Sequence, residues 1–410
     1  MIQNFNKAGY NIVQFDEVSD IYIINTCTVT NISDRKSRQI LRRAKERNKN
    51  SVVVAVGCYV QVAKEEIEKI PEIDFTLGTN EKVDIVKHVE EYIDNKKYVE
   101  NDDVMQNKNY GEFGSVTYTE KTRAVIKVQD GCDRFCSYCI IPYARGRVRS
   151  RDYNSILEEI KNIAKNDIKE VVITGIHVAS YGKDFKENYK LIDLLEDINK
   201  IDGIERIRLG SIEPLLFSDE FLERLIKLEK VCHHFHLSLQ SGCTETLKRM
   251  NRRYTAEEFN NIVNKIRNLY EDVILTTDII VGFPGETDDE FKNTYEFLKK
   301  INFYKMHIFK YSQRNGTKAA VMKNQIMGNV KEERSKILLQ LSDENEKKYQ
   351  IKYIGKQVDV LFEELNDGYY KGHTSNYLMV KVKSEKNISN KIMNVKIIEI
   401  NNNELIGTII

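Results

Sequence analysis

The sequence predicts an α/β protein: a partial barrel of six βα units, preceded by a small α/β domain and followed by a small β-barrel. Three observations carry this. Between Arg123 and Tyr311, six strand-like runs (RAVIKVQ, EVVITG, RIRLGS, HFHLSLQ, VILTTDIIVG and KMHIFKY) alternate with helical patterns, as parallel βα units do. Each run finishes in an unusual short string: DGCDRFCSYC, TGIH, SIEP, QSG, GFPGET or YSQRNGT. In barrel-like βα folds the chemistry gathers at such carboxyl ends, and six units favour an open barrel over a closed one of eight. The last sixty residues then change period, to short strands and turns (KQVDVLFEEL, GYYKGHTSNYLMVKVK, KIMNVKIIEI, ELIGTII), which fit a small antiparallel barrel.

In chain order, DIYIINTC and SVVVAVGC read as buried strands flanking a basic helix from Ser33 to Asn48, so residues 1–100 form the small α/β domain. A polar, aperiodic stretch, VENDDVMQNKNYGEFGS, makes 101–118 a linker. The barrel occupies 119–349 and ends in a charged helix, and 350–410 holds the β-barrel. A chain of 410 residues accommodates these parts at the usual domain size.

The 63 basic residues nearly cancel the 62 acidic ones, so bulk charge selects neither nucleic acid nor membrane, and any basic site is local. No apolar run is long enough to span a bilayer, and MIQNFNKAGYNIVQFDEVSD lacks the apolar core of a signal peptide. A cytoplasmic protein is expected. Seven cysteines, three of them within eight residues, suit metal or redox chemistry better than a secreted disulfide framework.

The spacing CxxxCxxC places Cys132, Cys136 and Cys139 on one short loop after a strand. Three thiolates bind three irons of a 4Fe-4S cubane and leave the fourth iron open, whereas ferredoxin spacing supplies four cysteines. An open iron is what S-adenosylmethionine (SAM) needs, because its amino and carboxylate groups chelate that iron beside a one-electron donor. A zinc site is the competing reading, and no fourth ligand stands out on the loop. For the SAM pocket the strand ends supply Gly175 and Gly282, where backbone approaches a ligand closely, and Glu213 and Gln240 as polar groups ending apolar strands. Tyr138, on the cluster loop, joins them.

Cys27 and Cys58 each end a strand of the first domain, which brings them together if the strands are parallel neighbours. Two thiols are an incomplete cluster site, and by themselves they read as buried free cysteines. Cys232 and Cys243 are assigned to packing, and His234 and His236, without a third ligand, to structure. Basic residues cluster after the cysteine loop (Arg145, Arg147, Arg149, Arg151), after the fourth strand (Lys248, Arg249, Arg252, Arg253) and on the first basic helix. Two of these clusters adjoin the expected active-site mouth, so Arg145, Arg147, Arg149, Arg252 and Arg253 are candidate RNA contacts.

The strings INTCTVTN, VGCY, GCDRFCSYCIIPYARGRVRSR, HLSLQSGCTETLKRMNRRYT, DIIVGFPGET and YSQRNGTKAA carry a family. Over almost its whole length the chain resembles the radical SAM methylthiotransferases. The resemblance implies an amino-terminal domain binding a second, auxiliary 4Fe-4S cluster through Cys27 and Cys58, a radical SAM core, and a TRAM domain that helps bind tRNA. GHTSNY, Gly372 to Tyr377, matches the TRAM pattern, although eight lysines against seven acids from Ile351 onward give that segment no basic character. TCTVTN, CIIPYARG, TGIHVASYG and HLSLQSGC most resemble the branch acting on tRNA N6-threonylcarbamoyladenosine at position 37, beside the anticodon. The implied product is the 2-methylthio derivative. One SAM would methylate a sulfur associated with the auxiliary cluster, and a second would yield the radical that activates adenine C2. An electron donor such as flavodoxin or ferredoxin is implied, and no membrane. Isopentenyladenosine and a ribosomal protein are the substrates of other branches. The family carries a further auxiliary-cluster cysteine ahead of the helix matched here by MIQNFNKAGY, and no cysteine precedes Cys27. This predicts either an incomplete amino-terminal domain, its start placed at an internal methionine, or a tRNA-binding protein inactive in sulfur insertion.

Overall fold

A computed structural model describes residues 1–96, 102–112, 114 and 122–410. The chain forms two compact units: Met1–Gly114, Asp130–Arg149 and Ser312–Val321 in one, and Ser115–Gln129, Ser150–Tyr311 and Met322–Ile410 in the other. The cysteine loop and the YSQRNGT segment therefore belong to the same unit as the amino-terminal sheet. Within the expected linker, 102–112 and 114 contain neither helix nor strand, while 101, 113 and 115–118 lie outside the described residues.

In the first unit, β1 (Ile21–Thr26), β2 (Val52–Gly57) and β3 (Phe75–Leu77) form a parallel sheet in that order. The continuous apolar run of β2 is covered on both faces, as a central parallel strand requires. Leu41 and Ala44 of the helix Asn31–Arg47 pack with Tyr22 and Ile24 on one side, and Phe5, Ile85 and Val89 pack with Val54 and Val56 on the other. Thr30 caps that helix, its side chain accepting from Ser33 N at 3.2 Å. Hydrogen bonds join the three chain segments: Thr79 Oγ1 donates to Ala144 O at 2.9 Å, Ala319 N to Ser137 O at 2.7 Å, and Asn31 N to Ser312 Oγ at 3.2 Å.

In the second unit, apart from the terminal residues Asp130 and Arg149, β4 (Arg123–Asp130), β5 (Arg149–Ser150), β6 (Glu170–Gly175) and β7 (Arg206–Leu209) form a sheet in the order β5-β4-β6-β7. A second sheet, in the order β10-β9-β8, contains β8 (His234–Gln240), β9 (Ile274–Val281) and β10 (Lys305–Lys310). Pairing within β4-β6-β7 and within β8-β9-β10 is parallel, and isolated parallel bridges, Ile207 with Val231 and Ile212 with Leu237, lie between the sheets. Helices fill the connections, and Asp152, Ser218, Thr255 and Thr287 cap four of them.

The carboxyl-terminal strands β11 (Gln357–Asn366), β12 (Tyr369–Thr374), β13 (Met379–Val382), β14 (Ile392–Asn401) and β15 (Glu404–Ile409) close a barrel in the order β11-β12-β13-β15-β14. Val360, Phe362, Val380, Val395 and Leu405 fill it. It docks on the amino ends of the parallel strands. Arg206 donates to His373 O at 2.9 Å and Asp359 O at 2.8 Å, Arg208 to Ser375 O at 3.1 Å, and Arg123 to Glu363 at 2.6 Å. Glu170, almost fully buried, holds Arg208 Nε at 2.8 Å. Tyr377 of GHTSNY lies between the His234 and His373 rings, at 4.8 and 4.7 Å, so that string serves this docking. No described helix is long and apolar enough to cross a membrane.

Candidate active site

β4 runs into the cysteine loop through Asp130 and Gly131. A side chain at Gly131 is excluded: φ is +71°, and a Cβ would lie 1.8 Å from Arg147 O. Backbone bonds set the loop, with Cys132 N donating to Gly146 O at 3.0 Å and Cys139 N to Cys136 O at 2.9 Å. Phe135, between the first two cysteines, takes a left-handed φ of 48°, a conformation that persists only where its surroundings fix it. Cys132, Cys136 and Cys139 are all partly exposed and none is in a disulfide. The backbone N–H of Arg134 points at Cys132 Sγ at 3.4 Å, the type of bond that tunes a thiolate bound to a cluster. Among the described residues no three His, Cys, Asp or Glu side chains converge on one metal ion. A cubane asks instead for thiolates set apart by the breadth of the cluster. Three partly exposed thiols on one shaped loop fit that donor set.

Cys27 and Cys58 occupy equivalent positions, because Thr26 and Gly57, the residues before them, are register partners in the β1–β2 pair. Gly57 makes this turn possible: φ is +103°, and a Cβ would lie 2.8 Å from Asn25 Oδ1 and 3.0 Å from Thr26 O. Arg145 reaches this pair from the segment after the cysteine loop, donating from Nε to Cys58 Sγ at 3.1 Å and from Nη1 to Asp130 at 3.3 Å. Burial opposes its charge, yet Cys58 and Asp130, with Cys27 a further contributor, hold the guanidinium above its ordinary range. A second arginine, Arg314 of YSQRNGT, is buried against the loop after Cys27. It bonds Thr28 Oγ1 at 2.6 Å, Asn31 Oδ1 at 2.5 Å and Asp34 Oδ2 at 2.6 Å. Cys27 and Cys58 bring two thiols, and the sequence has no cysteine before Cys27. The residues present do not complete the auxiliary cluster's donor set.

In the second unit the strand ends carry the other expected contacts. Gly175 ends β6 where a Cβ would meet Gln129 O and Oε1 at 3.0 Å, and the same Oε1 accepts from His177 N at 2.7 Å. Glu213 is buried between His177 Nε2 and Arg252 Nη2, each at 3.2 Å. Gln240 closes β8 with φ of 74°, a strained backbone for a non-glycine residue. Gly282 lies under the Lys331 stem, and its N–H bonds Glu286, which Arg334 holds at 2.5 Å. Tyr138, on the cysteine loop of the first unit, is partly buried.

Several arginines expected to face RNA turn inward. Arg145 holds Cys58, Arg149 is buried near Asp130, and Arg252 is enclosed by Glu213, Ser238 O and Tyr254. Of the five candidates, Arg147 and Arg253 are exposed. His234 and His236 both bond Thr276, and His236 also pairs with Asp278 at 3.1 Å. Cys232 is fully enclosed, and burial pushes its thiol up to about 11. Cys243 is buried. Sequence reasoning missed the roles of Arg145, His177 and Arg314; the strings YARG, TGIH and YSQRNGT were their only signal.

Residues 126–298 match the family model described as the Radical SAM superfamily, and residues 1–78 match Uncharacterized protein family UPF0004. The threonylcarbamoyladenosine tRNA methylthiotransferase MtaB of Bacillus subtilis is 39% identical over 404 residues, covering 97% of this chain and 89% of that protein. The chain belongs to the radical SAM methylthiotransferases. The Aquifex aeolicus MtaB is 41% identical over 385 residues, covering 94% of this chain and 92% of that one. This methylthiotransferase is also 38% identical to the tRNA-2-methylthio-N(6)-dimethylallyladenosine synthase of Caldicellulosiruptor saccharolyticus, over 99% of the chain and 88% of the relative. Among solved structures, the radical SAM methyltransferase TsrM of Kitasatospora setae aligns with a TM-score of 0.56 at 15% identity, over 75% of this chain and 67% of that one, a likeness of fold. The family implies a 4Fe-4S cluster and SAM.

Proposed function

We propose that this methylthiotransferase converts tRNA N6-threonylcarbamoyladenosine at position 37 to its 2-methylthio derivative. The similarity to MtaB over nearly the whole chain carries the reading, and TCTVTN, CIIPYARG and TGIHVASYG support the branch. Cys132, Cys136 and Cys139 would hold the 4Fe-4S cluster, and Tyr138, Gly175, Glu213, Gln240 and Gly282 would contact SAM. Bound there, cluster and SAM supply the one-electron chemistry that opens the adenine C2–H bond. The protein's own part is positional: the Arg134 N–H steadies Cys132, and His177 and Arg252 fix the Glu213 carboxylate. In domain terms, 1–100 would be the amino-terminal domain, 119–349 a six-unit partial barrel made of the two parallel sheets, and 350–410 a TRAM domain. Arg147 and Arg253 remain the proposed RNA contacts, with flavodoxin or ferredoxin as electron donor in the cytoplasm.

The test is nucleoside mass spectrometry after anaerobic reconstitution with iron, sulfide, SAM and a reductant, using threonylcarbamoylated tRNA. A mass gain of one methylthio group at that nucleoside is expected. Its absence, with transfer to isopentenyladenosine instead, overturns the substrate. A second reading, in which the chain is a tRNA-binding protein inactive in sulfur insertion, rests on the two thiols, Cys27 and Cys58, at the auxiliary site. About four irons per chain and tRNA binding without SAM turnover or methylthiolated product would establish it; about eight irons would dismiss it.

A further inference from the structure

We propose that a polar cleft in the first unit receives the amino-acid part of the substrate's N6 substituent, with Arg38 binding its carboxylate. This rests on the threonylcarbamoyladenosine reading above. The cleft has a volume of about 410 Å3 and is lined by Asn31, Asp34 and Arg38 of one helix, by Val62 and Ala63 beyond β2, and by Arg314. It adjoins the end of β1, because Arg314 is bonded to Thr28, the residue after Cys27.

Two of its groups have bonding capacity left over. Arg314 and Asp34 are each more than nine-tenths buried and paired through Nη2 and Oδ2, yet Arg314 Nε and Asp34 Oδ1 have no hydrogen-bond partner among the described residues. A buried donor and a buried acceptor without partners are costly unless a ligand completes them. Arg38 is committed through Nη1 alone, to Tyr59 Oη and to Glu66 at 2.8 Å, which leaves its Nε and Nη2 edge without a partner among the described residues. That edge is the fork that binds a carboxylate through two parallel hydrogen bonds.

A threonylcarbamoyl group matches this set. Its carboxylate suits the Arg38 edge, its urea carbonyl and hydroxyl or N–H suit the Arg314 and Asp34 atoms, and its methyl suits Val62 and Ala63. The charges of Asp34, Glu66, Arg38 and Arg314 cancel, so an incoming carboxylate meets no net repulsion. An isopentenyl group has no polar atom to offer and would leave every one of these groups unpaired. Adenine C2 and C6, the carbon that carries N6, belong to the same six-membered ring, so a pocket for an N6 substituent belongs beside the residues that serve C2.

The test is fluorescence anisotropy of the full chain with two anticodon stem-loop RNAs at one salt concentration, one bearing threonylcarbamoyladenosine and one bearing adenosine. The wild-type chain should prefer the modified RNA by about tenfold, the scale of one carboxylate–guanidinium recognition. Arg38→Gln should remove the preference without changing affinity for the adenosine RNA, and Arg38→Lys should restore part of it. Ala63→Asp, which places a carboxylate in the cleft without touching the Arg314 pair, should also remove it. An undiminished preference in Arg38→Gln and Ala63→Asp overturns the cleft and leaves the substrate standing. Equal wild-type binding of both RNAs also overturns the cleft, and the substrate reading then stands or falls on whether deleting the gene removes the methylthiolated nucleoside.

Discussion

The first unit holds two groups of cysteines built in opposite ways. Cys132, Cys136 and Cys139 come from one loop, shaped by the Gly131 turn and by bonds among near neighbours. Cys27 and Cys58 come from separate strands, and their proximity depends on the β1–β2 register, on Gly57, and on Arg145 arriving from a third segment. The local site is a property of a string, the distributed one a property of the fold. Damage to the sheet should therefore separate them.

The largest effect belongs to the local site. Cys136→Ala should abolish reductive SAM cleavage, read as deoxyadenosine by chromatography, whatever the state of the sheet. Gly57→Ala comes next. At φ of +103° with a Cβ clash, it should cost about 2 to 3 kcal/mol in denaturant unfolding and disturb Cys27 and Cys58, while iron bound by the cysteine loop persists. Loss of both functions together would break the distinction. Arg145→Gln should cost about 1.5 to 3 kcal/mol, the range for a hydrogen bond to a charged group. It should lower the alkylation rate of Cys58, because the thiolate is the reactive form and loses its guanidinium donor, and leave that of Cys136 unchanged; equal changes would mean the two sites are not separable.

The smallest effect lies in the second unit and provides a reference. Burial, reinforced by Arg208 and by His236, His373 and His307, holds His234 well below its usual range. The folded state then resists a proton that the unfolded state takes up. Stability from this group is complete above about pH 6.5 and is lost as pH falls, by roughly 1 kcal/mol between pH 7.5 and 5.5. His233 and His307, also lowered by burial, act in the same direction. Thermal melts of His234→Gln should lose most of this slope, while Cys58 alkylation at fixed pH stays unchanged.

Periodicity made the parallel strands and the closing barrel legible, because one-sided or two-sided burial writes itself into each run. The cysteine loop was legible because its ligands are close in sequence. Arg145 was not. Within RGRVRSR the residues look alike as charges, and only the fold decides that Arg145 and Arg149 face inward while Arg147 faces solvent. GHTSNY was legible as a family string, but its part in docking became visible only once Tyr377 lay between two histidine rings. Non-local placement, not composition, separates what could be read from what could not.

The most direct test of the central claim is mass spectrometry of tRNA nucleosides from cells lacking this gene. The account predicts loss of 2-methylthio-N6-threonylcarbamoyladenosine, accumulation of N6-threonylcarbamoyladenosine, and no change in methylthiolated isopentenyladenosine. An unchanged level of the 2-methylthio-threonylcarbamoyl nucleoside would contradict it.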